Sequence, residues 1–294
     1  FMIEASRGCP YNCSFCQEKV LRHSYTVKDA STAANEIIDT ASYLAQFVDN
    51  AIFFYCDPLW GANPKWVKRF CSHVIKRRDE TGSDLVGWGA AARVGQFSSE
   101  ELSLMKRAGC ITVGYGVESL SPRMLRIMDK TVNPGKYVDS VSDTVDKTLE
   151  ADLHVILTFI LGLPGETPST MKETLNSLKN LPLGNRNLHL QIGLPVALRQ
   201  TLLDQQLHDP KYIEEYGIRV HDEYDWEKGY LPRFTPLFDP SRELSASELA
   251  DIFLDLIHGI RGISGSLGKK RDTFREISTV LEKEYISPEE LAEW

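Results

Sequence analysis

The stretch SRGCPYNCSFC, residues 6–16, places three thiols in one short segment at the spacing CxxxCxxC. The apolar residues in front of it predict a strand over residues 1–6, so Cys9, Cys13 and Cys16 lie in the loop that leaves this strand. The loop also holds a Gly, a Pro and an Asn, which are turn formers. We therefore expect the three thiolates to converge on one point.

Three converging thiols favour an iron–sulfur cluster over a single metal ion. A structural zinc site needs a second Cys/His pair roughly 12–20 residues further on. None follows here, because the next thiol is Cys56, in another predicted strand. Three ligands from one loop suit an iron–sulfur cube that leaves one iron free for a substrate or cofactor. A zinc site and plain buried thiols are the alternatives.

The composition disfavours several classes of protein. The 294 residues are 42% hydrophobic, enough for one large α/β domain or one domain with an extension. A net charge of −8 without a long Lys/Arg run argues against nucleic-acid binding. No apolar run reaches about 18 residues, so we expect no membrane span. Six unevenly spaced Cys do not resemble a secreted disulfide framework, so we expect a reducing cytoplasm.

Apolar runs alternate with amphipathic stretches along the first two thirds of the chain, which predicts repeated βα units and a parallel sheet. The predicted strands are residues 1–6, NAIFFYCD, DLVGWGAAAR, ITVGYGVES, LHVILTFILGLPGET and NLHLQIGLPV. The predicted helices are 30–47, NPKWVKRFCSHVIKRRDE, SSEELSLMKRAGC with a Ser N-cap, 121–129, 134–151 and PSTMKETLNSLKNL. Six such units predict either a partly or fully closed barrel or an open doubly wound sheet.

The pattern changes at residue 197. RQTLLDQQLHDPKYIEEYGI, SASELADIFLDLIHGIRGI and TFREISTVLEKEY predict helices, and YDWEKGYLPRFTPLF is an aromatic segment broken by prolines. We expect a mainly helical extension over 197–294 that covers a core over 1–196. Because a strand at Phe1 has no lead-in, we also expect a further N-terminal domain.

Several stretches together resemble the radical S-adenosylmethionine (radical SAM) superfamily. CPYNCSFC follows the first strand and carries an aromatic just before its last Cys. AARVGQFSSEELSLMKRAGC, VGYGVESLSPRMLRIMDK and FILGLPGETPSTMKETL resemble family stretches in the same order and spacing. The resemblance covers residues 1–195 and implies a parallel (β/α)6 partial TIM barrel, the fold of the radical SAM core.

The resemblance also implies the cofactors. Cys9, Cys13 and Cys16 would ligate three irons of a 4Fe-4S cluster, and the methionyl amine and carboxylate of SAM would chelate the fourth. Reduction of the cluster, by a donor such as flavodoxin or ferredoxin, would cleave SAM to a 5′-deoxyadenosyl radical that takes a hydrogen atom. The cofactors carry the chemistry, so the protein must orient them and exclude water.

Positions that match the family suggest contacts with SAM. Phe15 would lie beside the adenine, with loop packing as the alternative. Cys56 and Asp57 end the second strand, where the SAM amine binds, although Asp57 could instead cap a helix. Glu118 would contact the ribose or methionyl group, with a helix N-cap as the alternative.

Other predicted contacts are less specific. Arg93 or Arg123 would pair with the SAM carboxylate, although Arg is also a common surface residue. The glycine turn LGLPGE would let its backbone approach the adenine closely, through Gly162, Leu163 and Pro164. The segment GLPVALRQT departs from the turn that often follows the family's sixth strand.

Five further aromatic and Cys side chains receive simpler predictions. Tyr55, Trp60 and Trp88 cluster near strand ends and could wall a substrate pocket. Cys71 and Cys110 are expected to be buried apolar groups.

IEASRGCPYNCSFC and CDPLWGANPKWV most resemble the cobalamin-dependent branch of the superfamily. This implies methylation of an unactivated carbon in a small-molecule or peptide substrate, with cobalamin held mainly by a domain outside this chain. The alternatives are a cobalamin-free radical SAM enzyme that performs cyclisation, rearrangement or epimerisation, and a non-catalytic Fe-S or zinc protein. The sequence identifies neither the substrate nor a catalytic acid or base.

Overall fold

The architecture comes from a computed structural model that describes residues 1–22, 24–82, 86–221 and 238–254. The strands are β1 (Met2–Ile3), β2 (Ser6–Arg7), β3 (Thr26–Val27), β4 (Ala51–Tyr55), β5 (Val86–Arg93), β6 (Cys110–Glu118), β7 (His154–Ile160), β8 (Leu188–Gly193), β9 (Arg219–Val220) and β10 (Phe238–Asp239). The helices are α1 (Glu18–Leu21), α2 (Ala30–Leu44), α3 (Pro64–Thr81), α4 (Ser99–Arg107), α5 (Pro122–Ile127), α6 (Pro134–Glu150), α7 (Pro168–Leu178), α8 (Leu202–His208) and α9 (Pro210–Tyr216). Residues 246–254 are also helical.

Six strands form one parallel sheet in the order β1-β4-β5-β6-β7-β8. A doubly wound sheet would reverse its strand order at a switch point. Here each strand after β1 pairs with its successor in the sheet, as in a barrel, while β1 and β8 are the two edges. The fold is thus the (β/α)6 partial TIM barrel that the sequence predicted.

The first predicted strand differs in detail. Residues 1–6 divide into β1, which joins the large sheet, and β2, which pairs antiparallel with β3 in a separate hairpin. This division turns the chain out of the sheet just before the cysteine loop.

The sheet has one buried face and one open face. On β4 the buried residues Phe53 and Tyr55 alternate with the exposed Ile52 and Phe54. Tyr55 meets Phe70 of α3, so the buried face is the one that the helices cover. The open face carries mid-strand glycines on β5 and β6, and the side chains of Thr112 and Glu118 occupy the space beside Gly89 and Gly116.

Short polar signals set the helix ends. Asn63 caps α3 through its side chain, and Gly82 ends that helix in the left-handed conformation at φ 65°. Ser98 and Glu101 form the reciprocal capping box of α4. This cap is the one that the sequence predicted.

The described part of the tail packs on the core. Leu203, Ile218 and Phe238 share a hydrophobic cluster with Met124 and Leu163 of the barrel. The predicted helix TFREISTVLEKEY and most of YDWEKGYLPRFTPLF lie outside the described residues. Within the described ranges, no helix combines the length and apolar character that a membrane crossing needs.

Candidate active site

The carboxyl ends of the parallel strands meet at one edge of the sheet, and the predicted site residues follow them there. The cysteine loop begins at Gly8, whose φ of 78° and proximity to the Ser24 carbonyl leave no room for a side chain. The amide of Ser14 donates to the Met128 carbonyl at 2.9 Å, and the Ser14 carbonyl accepts from Leu203 at 2.9 Å. The loop is thus anchored both to the barrel and to the tail.

The three loop cysteines are free thiols, each half-buried. Burial raises the pKa of Cys9 and of Cys16, and the nearby Cys13 thiol raises both further. Arg93 and Lys130 act in the opposite direction on the pKa of Cys9. The three thiols thus lie close enough to affect one another's ionisation, and two nearby cations favour the thiolate form of Cys9.

This donor set fits an iron–sulfur cluster. The three thiols come from one loop and are not used in disulfides. Across the described ranges, no three His, Cys, Asp or Glu side chains converge closely enough to hold a single metal ion. Thiolates are the protein ligands of iron–sulfur clusters, and this loop supplies three of them.

Asp57 follows β4 and is buried at 2% exposure. Its two carboxylate oxygens accept hydrogen bonds from the Ala5 amide at 2.9 Å and the Ser6 hydroxyl at 2.5 Å. Burial raises its pKa. The side chain does not cap the following helix, which Asn63 caps, and it connects β4 to the start of the cysteine loop. Its predicted contact with the SAM amine stays a prediction.

Glu118 ends β6 with φ 68° and forms a buried ion pair with Lys130. The Lys130 ammonium lies 2.9 Å from Glu118 Oε1, and both side chains are under 10% exposed. Gly116 makes room for the pair, since a Cβ there would lie 2.5 Å from Glu118 Oε1 and 3.1 Å from Lys130 Nζ. Ser121, not Glu118, is the N-cap residue of α5, so the pair leaves Glu118 at the strand end as a buried, charged group.

Arg93 ends β5 and reaches the cysteine loop. Its guanidinium lies over the Tyr11 ring, 3.8 Å from the centroid, and 5.9 Å from that of Tyr137. The Tyr137 hydroxyl donates to the Gly116 carbonyl at 2.8 Å. A cleft of about 550 Å³ opens here, with Tyr11, Arg93, Lys130 and Tyr137 in its lining.

Arg123 binds the LGLPGE turn rather than standing free. Its Nη1 donates to the Gly165 carbonyl at 2.8 Å. Glu166 in the same turn is buried, accepts from the Thr170 hydroxyl and has a pKa that burial raises to about 7. Gly162, at φ 90°, lies directly against Leu249 of the tail.

The other predicted contacts are placed as follows. Leu163 is 1% exposed and Pro164 is buried, so only their backbone could approach a ligand. Phe15 is half-buried and packs on the cluster that contains Leu163. Cys56 is exposed at the end of β4, where its thiol lies 3.1 Å from the Ile3 carbonyl.

The structure places the three predicted pocket aromatics in the core. Tyr55, Trp60 and Trp88 are at most 1% exposed and contact one another and Phe70 under α3. They lie on the helix-covered face of the sheet, so we correct their assignment from substrate pocket to hydrophobic core. Cys71 and Cys110 are buried, as predicted.

Sequence reasoning missed three residues of this site. Lys130, Tyr137 and Glu166 received no predicted role, although Lys130 and Glu166 lie in stretches that resemble the family. Lys130 carried a signal, because a Lys directly after the helix that follows Glu118 can reach back to it. Tyr137 lies on α6 and its contact depends on how that helix packs, which no local pattern encodes.

A model of the Radical SAM superfamily matches residues 3–178. The chain is 29% identical over 182 residues to the uncharacterized methyltransferase PH0819 of Pyrococcus horikoshii, covering 62% of this chain and 37% of that protein. It is 26% identical over 221 residues to the cobalamin-dependent radical SAM methyltransferase TokK of Streptomyces tokunonensis, covering 74% of this chain and 30% of TokK. The chain thus spans about a third of the length of the curated relatives it matches.

Among solved structures, the chain resembles the cobalamin-dependent S-adenosylmethionine radical enzyme OxsB, with aqua-cobalamin and S-adenosylmethionine bound. The TM-score is 0.64 at 14% identity, over 96% of this chain and 45% of that chain. At this identity the likeness concerns the fold, and it agrees with the partial barrel described above.

Proposed function

The chain belongs to the radical SAM superfamily, enzymes whose cofactors are a 4Fe-4S cluster and S-adenosylmethionine, and we propose that it is the core of a cobalamin-dependent methyltransferase. The observation that carries the cluster and SAM part of the proposal is the set of Cys9, Cys13 and Cys16, free and half-buried beside Arg93 and Lys130. Its substrate would be a small molecule or peptide with an unactivated carbon.

The residues of this chain have distinct roles in the proposal. The three thiolates would hold the cluster, and when bound, cluster and SAM supply a 5′-deoxyadenosyl radical by one-electron cleavage. Arg93 and Lys130 provide positive charge, which stabilises the anionic donors. Tyr11 and Tyr137 wall the cleft and limit water near the reacting groups.

The contacts with SAM remain part of the proposal. Asp57, Glu118 and Arg123 already have protein partners, so they would bind SAM either by exchanging these partners or through their remaining lone pairs and N–H groups. Phe15, Cys56 and Arg93, together with the backbone of 162–164, complete the proposed set.

Cobalamin and methylation rest on similarity to the relatives. TokK is named as cobalamin-dependent, and both TokK and PH0819 are named as methyltransferases. We propose that cobalamin is held mainly by a domain outside this chain, with the barrel over 1–196 and an extension over 197–294. The protein would receive electrons from flavodoxin or ferredoxin in the cytoplasm, where iron–sulfur clusters and free thiols persist.

Anaerobic reconstitution tests the radical SAM part. We expect about four irons per chain and formation of 5′-deoxyadenosine from SAM with a strong reductant. Bound iron and 5′-deoxyadenosine formation should both be lost in each of the variants Cys9→Ala, Cys13→Ala and Cys16→Ala. The control Cys71→Ala, which removes a core thiol, should retain iron. Iron binding without any effect on SAM would instead support a non-catalytic iron–sulfur protein.

The cobalamin part needs a separate experiment. The protein purified from its own cells should contain cobalt. It should also transfer a labelled methyl group from SAM to its substrate, so that the label is found in the product. Formation of 5′-deoxyadenosine without bound cobalt would contradict the proposed methyltransferase activity and favour a cobalamin-free enzyme that performs cyclisation, rearrangement or epimerisation.

A further inference from the structure

Arg93 is held in one orientation beside the cysteine loop. Tyr11, which lies between Cys9 and Cys13, stacks under the guanidinium at 3.8 Å. Tyr137 of α6 contributes a second ring, whose centroid lies 5.9 Å from the guanidinium carbon. Such cation–π contacts fix a planar cation without neutralising its charge.

The guanidinium also lacks an acidic partner. Within the described ranges, no carboxylate forms an ion pair with Arg93, although it is half-buried. Glu118 is paired with Lys130 instead. A partly buried charge of this kind requires a compensating partner. The acceptor that Nη1 reaches is the Cys13 sulfur, at 4.0 Å.

We propose that Arg93 is a positioning residue that sets the reduction potential of the cluster by donating to the Cys13 sulfur. This inference rests on the proposed function, since it requires Cys13 to be a cluster ligand. Hydrogen bonds and net charge at the sulfurs are among the factors that set such potentials. Reduction adds one negative charge, so a fixed cation at this distance stabilises the reduced state.

The expected size follows from charged hydrogen bonds. A hydrogen bond to a charged group changes an equilibrium by about 10- to 100-fold. Replacing Arg93 by Gln should therefore lower the ratio of reduced to oxidised cluster by about 10- to 100-fold at a fixed potential. At about 59 mV for each tenfold change in a one-electron couple, the midpoint moves by roughly 60–120 mV to more negative values.

The test is a redox titration of reconstituted protein without SAM, followed by electron paramagnetic resonance of the reduced cluster. Arg93→Gln should lower the midpoint, and Arg93→Lys, which keeps the charge, should restore most of it. Arg126→Gln removes an exposed positive charge from neighbouring α5 and should leave the midpoint unchanged. Tyr11→Leu, which removes the stacking ring, should lower the midpoint by part of this amount. If Arg93→Gln binds too little iron to be titrated, the midpoint of Tyr11→Leu is the measurement that tests the inference.

The outcomes separate this inference from the proposed function. An unchanged midpoint in both Arg93→Gln and Tyr11→Leu overturns it. Weaker SAM binding in Arg93→Gln with an unchanged midpoint also overturns it, and assigns Arg93 to the SAM carboxylate. Absence of an iron–sulfur cluster in the wild-type protein would instead remove the proposed function, and the inference with it.

Discussion

The ion pair between Glu118 and Lys130 is the most constrained feature of the site. Both charges are almost fully buried, and Gly116 is required beside them. Removing one partner of a buried pair leaves an uncompensated charge, whereas replacing both with neutral groups costs much less. The pair therefore couples the end of β6 to the segment after α5.

We predict that Lys130→Met lowers the free energy of unfolding of the cluster-free chain by about 3–5 kcal/mol. The double variant Glu118→Gln/Lys130→Met should recover a large part of this loss, because no charge is left unpaired. Urea denaturation followed by circular dichroism measures both.

Lys106→Met provides the matched control. Lys106 pairs with Asp152 at 2.6 Å at the surface, where both side chains are well exposed. Its loss should cost under about 1 kcal/mol. Equal losses for Lys130→Met and Lys106→Met would show that the buried pair has no special weight.

At the level of single residues, the sequence predicted which residues belong to the site better than it predicted which groups they contact. The three cysteines were identifiable from spacing alone, and Glu118 was singled out as a ligand contact, without the charged partner that it has in the structure. That partner is Lys130, twelve residues later, and Asp57 similarly contacts Ala5 and Ser6 across the sheet. Such pairs depend on how strand ends are juxtaposed, which a local pattern does not contain.

At the scale of elements, periodicity and caps predicted most of the core. The α4 capping box and the Pro start of α3 lie where the sequence placed them. The misses are the short helix α1 and the two-residue strands β2, β3, β9 and β10, which are too short to show a periodic pattern. The strands form by pairing with distant segments, so tertiary contacts determine them.

The LGLPGE turn is an element whose stability should depend on pH. Burial raises the pKa of Glu166 to about 7 from 4.5, so the folded chain retains this proton at a pH where the unfolded chain has released it. More bound protons in the folded state mean that stability falls as pH rises from about 4.5 to 7. The shift corresponds to about 3 kcal/mol over that window.

Glu166→Gln cannot ionise, so we predict a flatter dependence of unfolding free energy on pH between 5 and 7. Urea denaturation at several pH values between 5 and 7 measures this dependence of the unfolding free energy on pH. Glu100→Gln, at an exposed position, should keep the wild-type slope, and an unaltered slope in Glu166→Gln would contradict the assignment.

On the scale of the whole molecule, the sheet order gathers loops that are far apart in sequence. The cysteine loop is bonded to α5 and to the start of α8, and the LGLPGE turn is bonded to the Pro240 carbonyl and packed on Leu249. The same order brings His154 and His189 within 3.3 Å on neighbouring strands, a contact that their sequence spacing did not suggest. The strand ends are therefore joined to the tail as one unit.

A ligand bound among these loops should consequently stabilise the whole chain rather than one loop. We predict that SAM, added at about 100 times its dissociation constant to the reconstituted protein, stabilises it by about 2.7 kcal/mol. For a chain of 294 residues that raises the unfolding midpoint by roughly 4–5 °C. Differential scanning fluorimetry under anaerobic conditions measures the shift. Cys16→Ala, which cannot complete the cluster, should show little or none, and an equal shift in this variant would place SAM away from the three cysteines.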